Sequence, residues 1–179
     1  MPQNILVIST SLRKNSNSEA LADAFIAGAE EAGHHVEKIS LRGKEIAFCK
    51  GCLACQQKGK CVIDDDAVTL TEKIRHAEVI VFATPIYYYE MSGQMKTLLD
   101  RANALFGSDY AFRKIGLLSA AAEEGSHVPE KAVSGLKGWI DCFEKASFGG
   151  SVFAGGVTDP GEIKDHPALK EAEEFGKTI

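Results

Sequence analysis

The stretch that decides the fold is Asn4-Ile5-Leu6-Val7-Ile8-Ser9-Thr10-Ser11-Leu12-Arg13-Lys14-Asn15-Ser16-Asn17-Ser18. Its first five residues are mostly apolar and β-branched, which is typical of a strand covered on both faces. Ten residues follow, all small or polar except Leu12, and then an amphipathic segment from Glu19 to Ala32. A polar loop between a buried strand and a helix N-terminus offers free amides and the positive end of the helix dipole to an anion. We therefore predict a phosphate site in this loop, with Arg13 adding a positive charge.

Apolar runs alternate with helical periods along the rest of the chain. Four further strands are predicted at residues 35–41, 78–83, 114–119 and 151–154. Five strands alternating with five helices predict an α/β fold, a doubly wound five-stranded parallel sheet with helices on both faces. In the strand order 2-1-3-4-5 the switch point lies between the first and third strands, so a ligand is expected beyond their carboxyl ends. The loops at that place are residues 9–18 and 84–92.

Composition limits the classes of function. The chain has 179 residues, of which 45% are hydrophobic and 25% charged, so we expect one globular domain over residues 1–179. A net charge of -5 without a basic cluster argues against a nucleic-acid partner. The chain begins without a charged leader region and has no apolar run of membrane-spanning length. We therefore expect a cytoplasmic protein that does not associate with a membrane.

The loop after the third predicted strand is Thr84-Pro85-Ile86-Tyr87-Tyr88-Tyr89-Glu90-Met91-Ser92-Gly93. Three adjacent tyrosines cannot all be buried, because neighbouring side chains point in different directions. Exposed aromatic surface at a switch point suits a flat heterocycle, although packing against a helix or a partner subunit would also account for it. The first loop contains neither GxxxxGK[ST] nor GxGxxG, which disfavours a nucleoside triphosphate or a dinucleotide. A ligand with one phosphate and one flat ring fits the two loops best.

The two loops resemble motifs of the NAD(P)H-dependent FMN reductase and multimeric-flavodoxin-like quinone reductase family, which has the flavodoxin-like fold. The motifs GSPRKxxNT and TPIYxxxMSGxxKxxxDR correspond to residues 10–18 and 84–101, with Thr10 and Leu12 in place of the usual glycine and proline. The resemblance implies that the FMN phosphate is held by Ser11, Arg13, Ser16, Asn17 and Ser18, and that Ser9 also belongs to the cofactor-binding residues. It implies that Pro85, Ile86, Tyr87 and Tyr88 line the isoalloxazine ring, and that Ser119, Ala120 and Gly125 close the ribityl and ring side.

The resemblance also implies a function. It points to an FMN-dependent oxidoreductase that takes electrons from transiently bound NADH or NADPH and passes them to a quinone, a flavin or a similar small acceptor. In such an enzyme the cofactor carries the chemistry, and the protein supplies position and electrostatics. A homodimer or homotetramer is implied, with the Tyr87–Tyr89 loop and a cysteine-rich insertion at its interface. A competing hypothesis is an electron carrier without nicotinamide turnover, of the flavodoxin or iron–sulfur flavoprotein type.

Four of the five cysteines form the pattern Cys49-x2-Cys52-x2-Cys55-x5-Cys61 in an irregular insertion at about residues 45–63. Thiolates at such short spacings can wrap a [4Fe–4S] cluster, and the spacing is similar to that of iron–sulfur flavoproteins. Zinc fits less well, because structural zinc sites usually place a longer spacer between two ligand pairs. The pattern is equally compatible with free thiols or with a labile disulfide. Cys142 lies near the apolar face of a predicted helix, where we expect an inert core thiol.

Two helix starts are predicted from capping residues. Asp64-Asp65-Asp66 follows the insertion, and we interpret it as a solvated helix start with Asp66 as the N-cap rather than as a metal site. Ser92 is the predicted N-cap of the helix that follows the tyrosine-rich loop.

Overall fold

A parallel sheet forms the centre of the computed structural model, which describes all of residues 1–179. The strands are β1 (Asn4–Ser9), β2 (His35–Ser40), β3 (Val79–Tyr87), β4 (Glu90–Met91), β5 (Lys114–Ala120) and β6 (Ser147–Ala154). Five of them are parallel, in the order β2-β1-β3-β5-β6, and the short β4 pairs antiparallel with the end of β3. The predicted doubly wound order is therefore confirmed, because β5 and β6 are the fourth and fifth parallel strands.

Helices cover both faces of the sheet. They are α1 (Asn17–Glu31), α2 (Ala54–Lys58), α3 (Asp66–His76), α4 (Gly93–Arg101), α5 (Glu130–Ile140) and α6 (Pro167–Thr178), with a 3₁₀ turn at Ala102–Leu105. Successive strand residues face opposite sides, so Leu6 and Ile8 pack with α3, α4 and α5, whereas Ile5 and Val7 pack with α1 and α6. No helix combines the length and the hydrophobicity needed to cross a membrane.

Side-chain caps fix where two helices begin near the predicted loops. Ser92 caps α4 by accepting a hydrogen bond from the Met95 amide, which confirms the prediction. The predicted cap Asp66 is wrong, because Asp65 caps α3 by accepting from the Ala67 amide and Asp66 is the first helical residue. In a run of three aspartates each can cap. Here Asp65 is selected because Arg101 binds the same carboxylate.

Helices α1 and α6 pack backbone against backbone. A Cβ atom at Gly28 would lie 1.9 Å from the carbonyl oxygen of Glu173, and one at Gly176 would lie 2.1 Å from that of Phe25. Neither contact can relax through a flexible side chain. The two glycines therefore allow the close approach of α1 to α6.

Gly28→Ala should lower the free energy of unfolding by about 2–3 kcal/mol, because the new methyl group overpacks this contact. Gly138→Ala is the matched control, since Gly138 also lies inside a helix and a Cβ there meets nothing within 4 Å. That variant should gain about 0.5–1 kcal/mol from the helix preference of alanine over glycine. Urea unfolding measures both effects, and equal stabilities of the two variants would contradict the packing described above.

Candidate functional site

A pocket of about 170 Å³ lies beyond the carboxyl ends of β1, β3 and β5, at the switch point of the sheet. Four segments line it. They contribute Ser11, Arg13, Ser16, Asn17 and Ser18 from the first loop and α1, Pro85, Ile86 and Tyr87 from β3, Ala120, Ala121 and Ala122 from the end of β5, and Val157 and Thr158 after β6. The pocket thus brings together most of the predicted site residues. Ser9, Tyr88, Ser119 and Gly125 do not line it.

The first loop presents hydroxyls and free amides to this pocket. The Ser16 hydroxyl accepts a hydrogen bond from the Glu19 amide at 3.2 Å and so caps α1. The first amides of a helix have no acceptor within the helix, which leaves those of Asn17 and Ser18 available to a ligand. The Ser11 hydroxyl oxygen accepts from the Arg13 amide at 3.2 Å, and its hydrogen stays available. This end of the pocket suits a phosphate at the positive end of α1.

Two predicted phosphate ligands also hold a neighbouring segment in place. Arg13 Nη1 donates to the Thr158 carbonyl at 2.8 Å, and its Nη2 lies 3.6 Å from an Asp159 carboxylate oxygen. Asn17 Nδ2 donates to the Asp159 carbonyl at 3.0 Å, and its Oδ1 accepts from the Ile163 amide at 3.2 Å. The side chains thereby tether the segment after β6 to the first loop, where it forms a wall of the pocket.

Ser9 and Ser119 lie beside the pocket at the ends of β1 and β5. Both are buried, and neither hydroxyl has a hydrogen-bond partner. A buried hydroxyl without a partner costs free energy, so such groups in proteins usually have one. Two orphaned donors next to a pocket rimmed by hydroxyls and amides fit a polar ligand such as the phosphate and ribityl chain of FMN.

The opposite end of the pocket is apolar. Pro85 pairs with Ala120 across β3 and β5, so both walls start from the sheet itself. Tyr87 is half-exposed at the pocket, whereas Tyr88 is 98% exposed at the tip of the β3–β4 hairpin. Gly125 lies beyond the pocket with φ 123° and packs against His127. The expectation that the three tyrosines are not all buried is confirmed.

Thr10 joins the first loop to the tyrosine-rich loop. Its hydroxyl donates to the Ala83 carbonyl at 3.1 Å and lies 3.0 Å from the Ser92 hydroxyl. The Ser92 amide in turn donates to the Thr84 hydroxyl at 3.0 Å, and all three side chains are buried. A glycine at position 10 lacks these contacts. In this chain the network fixes the polar end of the pocket relative to its apolar end.

A second cavity, of about 420 Å³, gathers all five cysteines. It is lined by Cys49, Cys52, Cys55 and Cys61 of the insertion, by Cys142, and by apolar residues that include Phe106, Trp139 and Phe143. All five are free thiols. The prediction that Cys142 is a core thiol is wrong, because α5 ends at Ile140 and Cys142 is exposed to this cavity.

Hydrogen-bond donors reach two of the four sulfur atoms of the insertion. Asn103 Nδ2 donates to Cys55 Sγ at 3.2 Å, and the Gly51 amide donates to Cys49 Sγ at 3.4 Å. Such donors stabilise thiolates that bind a metal centre. No group of three or more His, Cys, Asp or Glu side chains is placed to hold a metal ion. These hydrogen-bond donors therefore fit cysteines that bind a metal centre as thiolates. The cysteine side chains do not, however, lie at the distances at which they could share a metal ion.

A buried ion pair anchors both ends of the insertion. The fully buried Arg101 side chain contacts the Asp65 carboxylate at 2.6 and 2.8 Å and donates to the carbonyls of Ala47 and Ile63. Burial alone would raise the pKa of Asp65, but the hydrogen bonds from Arg101 and from the amides of Ala47 and Ala67 outweigh it and lower this pKa. The carboxylate therefore stays charged opposite Arg101.

Comparisons with known proteins agree with this geometry. The sequence model of NADPH-dependent FMN reductase matches residues 3–154. The chain is 30% identical to an iron–sulfur flavoprotein of Methanosarcina thermophila, over 96% of this chain and 91% of the relative. It is 31% identical to one of Archaeoglobus fulgidus, over 93% and 74%. The solved NAD(P)H:quinone oxidoreductase from Methanothermobacter marburgensis shares the fold, with a TM-score of 0.79 at 20% identity over 99% of this chain and 96% of that one. The resemblance carried by the two loops is confirmed, and the chain belongs to the NADPH-dependent FMN reductase family of oxidoreductases.

Proposed function

We propose that the chain transfers electrons from NADH or NADPH, through FMN bound in the switch-point pocket, to a quinone, a flavin or a similar small acceptor. The observation that carries the proposal is the convergence of a polar and an apolar end in one pocket. FMN has a phosphate at one end, a flat ring at the other and a ribityl chain between them. The polar end of the pocket suits the phosphate, and the apolar end suits the ring. Family membership supports the same cofactor.

Each wall has a role in this proposal. Ser11, Ser16 and Ser18 and the first amides of α1 hold the phosphate, and Arg13 and Asn17 stand beside it. Pro85, Ile86 and Tyr87 of β3 and the neighbouring Ala120 of β5 line the ring, and the hydroxyls of Ser9 and Ser119 are satisfied from the pocket. Tyr88 and Gly125 lie outside the pocket, so we assign them to its rim. Bound FMN supplies the redox chemistry, while these residues bind, orient and shield it.

Turnover of nicotinamide tests the enzyme proposal. Protein loaded with FMN should oxidise NADH or NADPH in the presence of a quinone, a free flavin or a nitro compound, as measured by the loss of reduced-nicotinamide absorbance. Protein freed of flavin is the control and should be inactive. If the loaded protein oxidises neither nucleotide with any of these acceptors, the chain is an electron carrier instead.

A second candidate function is that of an iron–sulfur flavoprotein, because the four thiols of the insertion line one cavity and two of them accept hydrogen bonds. Cys49, Cys52, Cys55 and Cys61 would hold the [4Fe–4S] cluster, and the relatives named above carry that description. Protein purified without oxygen should then contain about four iron atoms per chain. Cys55→Ser should lose them, and the matched variant Cys142→Ser should keep them. A flavin spectrum without iron would exclude the cluster.

We also propose a homodimer or homotetramer with the hairpin tip and the insertion at its interface. Large apolar side chains are exposed there, with Tyr88 at 98% and Leu53 at 56% exposure. Exposed apolar surface of this kind marks protein contacts. Light scattering on a gel-filtration peak measures the mass, and a monomer at micromolar concentration would contradict the proposal.

A further inference from the structure

The two apolar walls of the pocket are joined to each other outside it. Tyr89 Oη, at the tip of the β3–β4 hairpin, donates a hydrogen bond to Glu123 Oε2 in the loop after β5 at 2.7 Å. The His127 ring stacks on the Tyr89 ring, with centroids 6.2 Å apart, and its Nε2 lies 3.7 Å from the other Glu123 oxygen. Lys131 Nζ lies 5.4 Å from the Tyr89 ring centre. We call Tyr89, Glu123 and His127 the clasp.

The hairpin tip has a backbone that its own sequence does not favour. Tyr88 and Tyr89 have φ values of 52° and 66°, the left-handed region that a two-residue hairpin turn of this kind requires. Asn-Gly suits such a turn, whereas residues with a bulky side chain are disfavoured there. Contacts outside the turn must therefore hold it. Met91 is buried in the core on one side, and the clasp holds the tip itself.

The position of the clasp connects it to the ring end of the site. Pro85, Ile86 and Tyr87 lie immediately before the tip, and Ala120, Ala121 and Ala122 lie immediately before Glu123. A hydrogen bond between the outer ends of these two segments limits how far the walls can separate. The hydrogen bond to the Glu123 carboxylate also raises the pKa of Tyr89, so the phenol stays protonated as the donor at neutral pH.

We propose that Tyr89 and Glu123 are positioning residues for the flavin ring, because their hydrogen bond fixes the separation of the outer ends of the two apolar walls, beyond the paired residues Pro85 and Ala120. The inference rests on the proposed function, since it assumes that the ring occupies this end of the pocket. A site whose walls are already in place binds more tightly, because a larger fraction of the protein is competent to bind. The clasp acts at the ring end, so it should affect flavins with and without a phosphate alike.

Flavin binding by variants is the first test. Tyr89→Phe and Glu123→Ala should each weaken FMN binding about five- to tenfold, the loss expected when one charge-assisted hydrogen bond is removed. Riboflavin binding should weaken by the same factor, and the double variant should bind flavin no more weakly than either single variant. Glu124→Ala is the matched control, because it removes the neighbouring exposed carboxylate, which makes no hydrogen bond and does not line the pocket, and its affinity should equal that of the wild type.

Amide hydrogen exchange without flavin is the second test, and it does not depend on the proposed function. Tyr89→Phe should speed exchange in residues 84–91 and 120–126, while Glu124→Ala should not. Equal exchange in the two variants, or a loss of FMN affinity without a loss of riboflavin affinity, would contradict the proposed role of the clasp. If the wild type binds no flavin, the proposed function fails, and exchange alone decides whether the clasp holds the loops.

Discussion

Asp65→Asn should destabilise the protein by about 3–5 kcal/mol, because it leaves a buried guanidinium without its counter-charge. The Arg101 side chain is fully buried and makes two short contacts with the Asp65 carboxylate. Asparagine is as good an N-cap as aspartate, so α3 keeps its cap and the loss reports on the ion pair. Urea unfolding measures it. The insertion should loosen as well, because Arg101 binds the carbonyls at its two ends.

Asp100→Asn is the matched control for this prediction. It removes the partner of Lys96 at 2.7 Å in an ion pair whose side chains are 60% and 49% exposed. Such a surface pair contributes less than about 0.5 kcal/mol. If the two variants lose the same small amount, Arg101 does not depend on Asp65 and the proposed anchor is wrong.

The pH dependence of stability also tests the Asp65–Arg101 ion pair, because the pKa of Asp65 determines whether stability rises or falls with pH. The folded-state pKa of Asp65 lies below its usual value of 3.8. Stability from this group is therefore fully present above that value and is lost as the pH falls through the folded-state pKa. The difference between the wild type and Asp65→Asn should be largest at neutral pH and should shrink in strong acid.

Ser18→Asp should weaken FMN binding at least about a hundredfold. Two like charges about 4 Å apart repel by about 4 kcal/mol at the effective dielectric constant near a protein surface, and a hundredfold loss needs only about 2.8 kcal/mol. Ser18 lies in the first turn of α1 and lines the polar end of the pocket. A carboxylate in the first turn is favourable for the helix dipole, so the fold should be retained.

Riboflavin is the control ligand for Ser18→Asp, because it lacks the phosphate. Its affinity should change by less than about threefold, and Ser18→Ala should weaken FMN only about tenfold, by one hydrogen bond to a charged group. Fluorescence titration measures all of these affinities. Equal losses for FMN and riboflavin would mean that the phosphate does not sit at the start of α1.

The sequence predicts the central strands because each of them contains a run of consecutive apolar residues. Val79 to Ala83 and most of β1 and β5 are apolar and buried, so the apolar pattern and the length of each run are enough to predict these strands. The sequence does not predict the hairpin of β4, since Tyr88 and Tyr89 are not turn residues and the bond to Glu123 holds them. The predicted start of β6 is four residues late, because Gly149 and Gly150 hide the strand pattern beside an irregular register with β5.

The sequence likewise predicts the part of the candidate site that local motifs form, but not the part that distant contacts bring to the pocket. The first loop and Pro85–Tyr87 carry local motifs, so the sequence predicts them. Val157 and Thr158 reach the pocket only because Arg13 and Asn17 tether their segment, and no residue pattern marks such a contact in advance.

A crystal structure of the protein grown with FMN tests the central claim most directly. We predict the FMN phosphate within hydrogen-bond distance of Ser11, Ser16 or Ser18 and the isoalloxazine ring in contact with Pro85–Tyr87 and Ala120–Ala122. The hydroxyl of Ser9 or Ser119 should gain a partner. FMN bound with its phosphate away from the start of α1, or its ring away from both apolar walls, would contradict the proposed site.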